Sequence, residues 1–296
     1  VTASATQYPV TVENCGEQLT IERQPERVIV SWGGQAAYLL ALGLGDVIIG
    51  MYYRFPDEEN RLVPPDLKAG YLAIPVIGGS DGTPPNKEVP IALTPDFFYS
   101  DNPSDFADGR ATREDFAAAG AAVFSSVYGC TDPDQQTIEQ MFDEIQTLGV
   151  IFDRQAEATA LVERLTSELA AVEARIAGRE PVKALLLEGS TETLYVAGNG
   201  LVTDVFARAG ALNVFDGASY DAPPSREVLA ASAPDVVVLW DNSAEELVPV
   251  AQRVFATAPA AVTERIEPVR YIGGIGLRVP EFAEALARIF HPEAFE

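Results

Sequence analysis

Apolar positions in this chain follow two rhythms that alternate along its length. Short unbroken runs, such as Val28-Ile29-Val30, Phe97-Phe98-Tyr99, Ala122-Val123-Phe124 and Val236-Val237-Val238, read as strands buried on both faces. Between them apolar residues return every three or four positions, the period of a helix with one buried face. The pattern predicts strands at 28–30, 47–50, 74–77, 97–100 and 122–124, and helices at 35–43, 112–120 and 136–149, the last ending at Gly149. Residues 8–23 alternate apolar and polar around Asn14-Cys15-Gly16, a hairpin signature. A long helix is predicted at 154–177, where Ala158, Leu161, Val162, Leu165, Leu169, Val172 and Ile176 keep the helical period and Gly178 stops it. At 1.5 Å per residue it would run roughly 35 Å. The alternation then restarts. Strands are predicted at 182–187, 236–240 and 269–272, helices at 202–209 and 279–290, with Leu194-Tyr195-Val196 leading into the turn Gly198-Asn199-Gly200. Strands alternating with helices predict parallel sheets covered on both faces. The fold class is therefore α/β: two Rossmann-like lobes with parallel-type sheets, at 1–150 and 180–296, joined by the single long helix.

One phrase occurs in both lobes. Glu88-Val89, Ala92 and Pro95-Asp96 return as Glu227-Val228, Ala231 and Pro234-Asp235, each time followed by an apolar run. Each copy reads as a short helix, a Pro-Asp break and a buried strand. Two related lobes predict a cleft between them, and ligands bind in such clefts.

Composition narrows the function. The net charge of −24 would repel phosphate backbones, so nucleic acid is not an expected partner, while a cationic ligand or a basic surface is favoured. Plain solubility accounts for the same acidity. No apolar run is long enough to cross a membrane. The small polar start, Val1 to Gln7, reads as a tether left after removal of a leader, or as an ordinary loose terminus. Cys15 and Cys130 lie far apart and outside any Cys-x-x-Cys pattern, which excludes zinc-ribbon and thioredoxin-type sites. A bridge between them would stabilise the fold by about 4–5 kcal/mol and imply an extracytoplasmic protein; two separate buried thiols are the alternative. Enzyme readings find no support: there is no Gly-x-Ser-x-Gly, no phosphate loop, and the one histidine is His291 near the C-terminus.

Several motifs in fixed order carry a resemblance over almost the whole chain. They are Pro25-Glu26-Arg27-Val28-Ile29, Ala41-Leu42-Gly43-Leu44-Gly45-Asp46, Glu88 with Pro95-Asp96, Ala209-Gly210-Ala211-Leu212-Asn213, Ser225-Arg226-Glu227 with Pro234-Asp235, and Ala287 to Glu293. Together they resemble the helical-backbone class of ABC-transporter substrate-binding proteins, which serve ferric siderophores, haem, cobalamin and, in one branch, bare metal ions. The resemblance implies an extracytoplasmic, lipid-anchored or periplasmic monomer that delivers a small-molecule chelate to an ABC permease dimer and needs no cofactor. It implies that Glu88 and Glu227 dock onto permease arginines, although each glutamate equally suits the first turn of its helix. The Asn14-Cys15-Gly16 opening is similar to an iron-complex subgroup, which implies the Cys15–Cys130 disulfide.

The ligand is expected at the carboxyl ends of the strands. Trp32, Tyr52, Tyr53, Arg54, Tyr99, Tyr195, Trp240 and Arg278 are the candidate contacts, with Ser80, Asp101 and Asp241 beside them. Aromatic walls suit a chelate and the two arginines its negative groups, though packing explains any single aromatic as well. One histidine cannot build the multi-histidine site of a bare zinc or manganese receptor, whereas a chelate brings its own ligands. A ferric siderophore is the leading ligand class. Cobalamin or haem on the same fold, and a surface sensing or adhesion module without transport, are the alternatives.

Overall fold

The computed structural model describes residues 5–54, 61–79, 83–107, 109–132, 135–198, 200–217, 222–262, 264–270 and 276–296. The chain divides into two compact units, Val1–Asp132 with Glu139–Arg164, and Pro133–Ile138 with Leu165–Glu296.

The first unit opens with the hairpin β1 (Val10–Asn14) and β2 (Glu17–Ile21), whose turn places Cys15 and Gly16 at positive φ. Its parallel sheet is built from β3 (Val28–Val30), β4 (Ile48–Met51), β5 (Phe97–Ser100) and β6 (Ala122–Ser125), in the order β4-β3-β5-β6. The helices are α1 (Gly33–Ala41), α2 (Lys68–Ala73), α3 (Glu88–Ala92), α4 (Arg113–Ala118), α5 (Val127–Cys130) and α6 (Ile138–Ile151). Helix α7 (Gln155–Ile176) begins in this unit and ends in the second. Along it Ala158, Leu161, Leu165, Leu169, Val172 and Ile176 are buried, so the apolar stripe is what makes so polar a segment a helix.

The second unit has β7 (Val182–Gly189), β8 (Leu194–Val196), β9 (Ala211–Asn213), β10 (Val236–Trp240) and β11 (Ile266–Val269), with helices α8 (Gly200–Arg208), α9 (Arg226–Ala231), α10 (Ala244–Val254), α11 (Pro259–Val262) and α12 (Val279–Phe290). Its parallel strands run β11-β10-β7 with β9 also on β7, while β8 pairs β7 antiparallel. Counted along the chain, both parallel sheets have the same order: second, first, third, fourth.

The repeated Pro-Asp has a physical reason. The Asp96 N–H donates to the Arg27 carbonyl at 3.0 Å, and the Arg27 N–H donates back to the Asp96 carboxylate at 2.8 Å. In the second unit the Asp235 N–H donates to the Lys183 carbonyl at 2.8 Å, and the Lys183 N–H returns to Asp235 at 2.9 Å. Each aspartate thus clamps the start of the third strand onto the start of the first. The residues entering the two turns, Thr94 at φ 47 and Ala233 at φ 45, share a left-handed conformation that costs a non-glycine residue about 1 kcal/mol or more.

Cys15 and Cys130 form a disulfide with Cα atoms 4.6 Å apart, tying the hairpin turn to the end of α5. Beside it, Asn14 extends the sheet edge: its Nδ2 donates to the Ser125 carbonyl and its Oδ1 accepts from the Ser125 N–H, both at 2.8 Å. Closing a loop with a sequence separation of 115 stabilises by about 5 kcal/mol on the loop-entropy account.

Three expectations are corrected, and one helix is added. The strand at 74–77 reduces to a single bridge between Met51 and Val76, because Pro75 has no N–H to continue a ladder. Gly149 does not end its helix, which runs to Ile151; a Cβ there would sit 2.6 Å from the Ala158 Cβ, so the glycine permits close packing of α6 on α7. The strand at 269–272 lies earlier, at Ile266–Val269, and residues 271–272 fall outside the described residues. Helix α10 was unforeseen, since Pro249 and a charged first turn disguise a face that buries Leu247, Val250 and Ala251.

Replacing Asp96 or Asp235 with alanine leaves backbone donors of the clamp without their partner. Denaturant unfolding should show each variant losing about 1–3 kcal/mol with the m-value unchanged.

Candidate ligand-binding and docking positions

In a sheet of this strand order, the turns after the first and third strands diverge, and that switch point is where α/β proteins place ligands. In the first unit those turns carry Ser31-Trp32 and Asp101-Asn102; in the second they carry Gly189-Ser190 and Trp240-Asp241. Trp32 precedes α1, keeps part of its surface, and lays its ring over Gly34, where a Cβ would be 3.6 Å away. Trp240 ends β10 half-buried, its ring 5.4 Å from Phe282 and tilted by 31°. Asp241 beside it is exposed. Tyr195 is half-buried on β8, opposite Glu188 of β7.

Other candidates stand elsewhere. Tyr52 and Tyr99, expected as walls, have no exposed surface. Tyr52 packs on Phe98 at 5.0 Å, and Tyr99 donates its hydroxyl to Glu144, so both are core residues with nothing for a ligand to touch. Tyr53 is nearly buried in the same cluster as Phe98 and Phe116. Arg54 donates to the Tyr71 and Ile74 carbonyls at 2.7 and 3.0 Å and lies 4.8 Å over the Tyr71 ring, closing the end of α2. Arg278 is buried and paired with Glu281 of α12. Ser80 lies outside the described residues.

A buried polar network lies beneath the first switch point. Gln35 donates to Asp101 at 2.6 Å, and the Asp101 N–H donates to Ser31 Oγ at 2.7 Å and to Asp105 Oδ2 at 2.9 Å. Desolvation raises the Asp101 carboxyl to about 6, against the pull of Gln35. Glu144 of α6 accepts from Tyr99 and from the Val127 N–H at 2.8 Å, yet burial raises it to about 7. Sequence reasoning missed Gln35, Asp105 and Glu144, since nothing in a helical period marks one polar residue as buried.

Glu88 and Glu227 are both exposed, in the first turns of α3 and α9. Their surroundings repeat more fully than the glutamates alone: Pro84-Pro85-Asn86-Lys87-Glu88-Val89 matches Pro223-Pro224-Ser225-Arg226-Glu227-Val228. His291 is buried, with Nε2 2.9 Å from the Gly210 carbonyl. Gly210 has φ 84, and a Cβ on it would reach within 2.5 Å of that nitrogen. Among the described residues no group of three or more His, Cys, Asp and Glu side chains is placed to hold a metal ion, and no helix is long and apolar enough to cross a membrane.

The profile of the family described as periplasmic binding protein matches residues 28–263. The chain belongs to the periplasmic binding protein family. Across 98% of its length it is 23% identical to YvrC of Bacillus subtilis, an uncharacterised ABC transporter substrate-binding lipoprotein, and the match covers 88% of that protein. A periplasmic binding protein of Veillonella parvula shares the fold with a TM-score of 0.82 at 19% identity, over 96% of this chain and 97% of the other. An ABC-type Fe3+-hydroxamate transport system protein of Saccharomonospora viridis matches with a TM-score of 0.75 at 26% identity, over 96% and 100%. Periplasmic binding proteins of this ABC type are transport components that take a small-molecule ligand and work with a membrane permease.

Glu144 sets a pH dependence for this periplasmic binding protein. Its folded pKa of about 7 stands above its ordinary value of 4.5, so between these the folded protein holds a proton that the unfolded chain has released. Its contribution is complete below about pH 4.5 and is lost as pH rises through about 7. Thermal melts should give a higher Tm at pH 5 than at pH 8, and Glu144→Gln should remove much of that difference.

Proposed function

We propose that this chain works outside the cytoplasm, captures a preformed metal chelate, a ferric siderophore foremost, and delivers it to an ABC permease. The fate of His291 carries this reading. The only imidazole in the chain is buried and held by the Gly210 carbonyl, which leaves none for a bare transition-metal site of the nitrogen-rich kind. A chelate requires no metal ligand from the protein. In the second unit the half-buried aromatic faces of Trp240, at the end of the third strand, and of Tyr195 supply contact area for one. The relative from Saccharomonospora viridis, a ferric-hydroxamate transport protein by name, supports the same ligand class. The Cys15–Cys130 disulfide suits an oxidising compartment, and the lipoprotein YvrC supports a lipid-anchored position. Glu88 and Glu227 are the positions proposed to meet cationic side chains of the permease, whose charge the surface of this acidic protein complements.

Calorimetric titration with ferric hydroxamates, ferric catecholates, haem, cobalamin and bare zinc, manganese and ferric ions tests the ligand class. A ferric siderophore should bind at micromolar affinity or better, and Trp240→Ala should weaken it by about 1–3 kcal/mol. Tight binding of a bare ion with no chelate bound would overturn the reading. Charge reversal at Glu88 or Glu227 to lysine should impair uptake while ligand affinity stays within about twofold.

A further inference from the structure

An open sheet edge presents backbone groups to any chain that can pair with them, and this fold closes one of its edges only in part. Strand β6 is an outer edge of the first unit's sheet. The Ala122 N–H donates to the Asp96 carbonyl at 3.0 Å and the Ser126 N–H to the Ser100 carbonyl at 2.8 Å, so these residues face β5. The alternate residues, Val123 and Ser125, therefore turn their backbone groups outward. At Ser125 the Asn14 side chain takes both groups, standing in for a strand. At Val123 neither the N–H nor the C=O has a hydrogen-bond partner among the described residues.

A groove of about 560 Å³ lies along this stretch. Its other wall is the hairpin. The hairpin register sets Glu17, Leu19 and Ile21 on the face that carries Asn14, and the bonds from Asn14 to Ser125 turn that face towards β6. Pro25, Asp96 and Gly120 also line the groove, which places it at the amino ends of the strands, away from the turns at their carboxyl ends. Its charges are unevenly committed. Arg23 lies 3.6 Å from Asp96, while Arg113 donates to Ser125 Oγ at 2.7 Å and lies 4.4 Å over the Phe106 ring. Both cations are thus engaged by the fold. Glu17 and Glu22 are exposed, and neither forms an ion pair among the described residues.

We propose that this groove receives an extended, basic segment of a partner polypeptide, which adds a strand to β6 at Val123 and sets its cations against Glu17 and Glu22. The outward N–H and C=O dictate the backbone, because an added strand offers the complementary pair at ladder spacing. Small side chains, Ala117, Ala121 and Ala122, leave room for that backbone to approach. Leu19 and Ile21 favour apolar side chains on one face of the segment, and its other face is free to carry the basic residues. Acids without partners, beside cations already engaged, select positive charge, as does the net charge of −24. A segment bound here leaves the turns proposed to hold the chelate uncovered.

Fluorescence anisotropy of the intact protein with a labelled peptide alternating lysine and valine tests this. The peptide should bind with a Kd of about 10–100 μM. A glutamate–valine peptide, wrong in charge, and a lysine–glycine peptide, poor as a strand, should each bind about tenfold more weakly or worse. Glu17→Lys combined with Glu22→Lys should weaken the lysine–valine peptide about tenfold. Glu163→Lys combined with Glu180→Lys, an equal change of charge at exposed sites outside the groove, should weaken it less than about twofold. Val123→Pro removes the outward N–H and should cost about fivefold. Hydrogen exchange on the parent reads the same contact without a variant: the Val123 amide should exchange freely alone and be protected by the peptide. Equal binding of the three peptides, equal loss in the two charge-reversed pairs, an unprotected Val123 amide, or no binding at all would overturn the proposal. A dimer of the protein alone that Glu17→Lys with Glu22→Lys dissolves would assign the groove to a second copy and overturn it too.

Discussion

Both sheets depend on one interaction made twice, the exchange of two hydrogen bonds between an aspartate and the residue that starts the first strand of its unit. Asp96 with Arg27 and Asp235 with Lys183 set the third strand beside the first. That neighbour relation creates the switch point, because the chain reverses its direction of growth across the sheet there. The turns holding Trp32 and Asp101, and those holding Trp240 and Asp241, lie at the far ends of the strands so clamped. At the near ends, the Pro-Asp turns follow directly on the short helices α3 and α9, which carry the exposed Glu88 and Glu227. An internal repeat of a few residues thus positions both the switch-point turns and the glutamates proposed for docking.

Around the first switch point the fold tolerates buried acids. Ser31, Gln35, Ser100 and Asp105 are almost wholly buried and joined by hydrogen bonds to Asp101 and to one another. Burial alone would exclude such groups; their bonds to one another and to backbone N–H groups make the arrangement affordable. The network also separates charge by depth. The outer surface carries most of a net charge of −24, while the raised carboxyls of Asp101 and Glu144 hold protons well above the usual carboxylate range.

The class of fold was legible because buried parallel strands and amphipathic helices write different periods into a sequence. The stripe of α7 and the apolar runs of β3, β5 and β10 are examples. The repeated Pro-Asp was legible as a break, but not as a clamp, since its partners Arg27 and Lys183 are distant in sequence. The disulfide followed from a resemblance, and the structure joins the two cysteines. Periodicity could not tell Tyr99 from Tyr195: both sit in apolar strands, yet one faces Glu144 in the core and the other keeps exposed surface. Nor could it foresee that Arg54 would turn onto the carbonyls of α2, because an arginine's direction is set by tertiary neighbours. Helix α10 was hidden by its own proline.

The central claim is that this protein takes the metal already wrapped in its chelator. Native mass spectrometry of the protein mixed with a ferric trihydroxamate tests it directly, because the added mass reports what was bound. The account predicts one adduct per chain whose mass equals chelator plus iron. An adduct of iron alone, or the unmodified protein mass with every chelate offered, would contradict it.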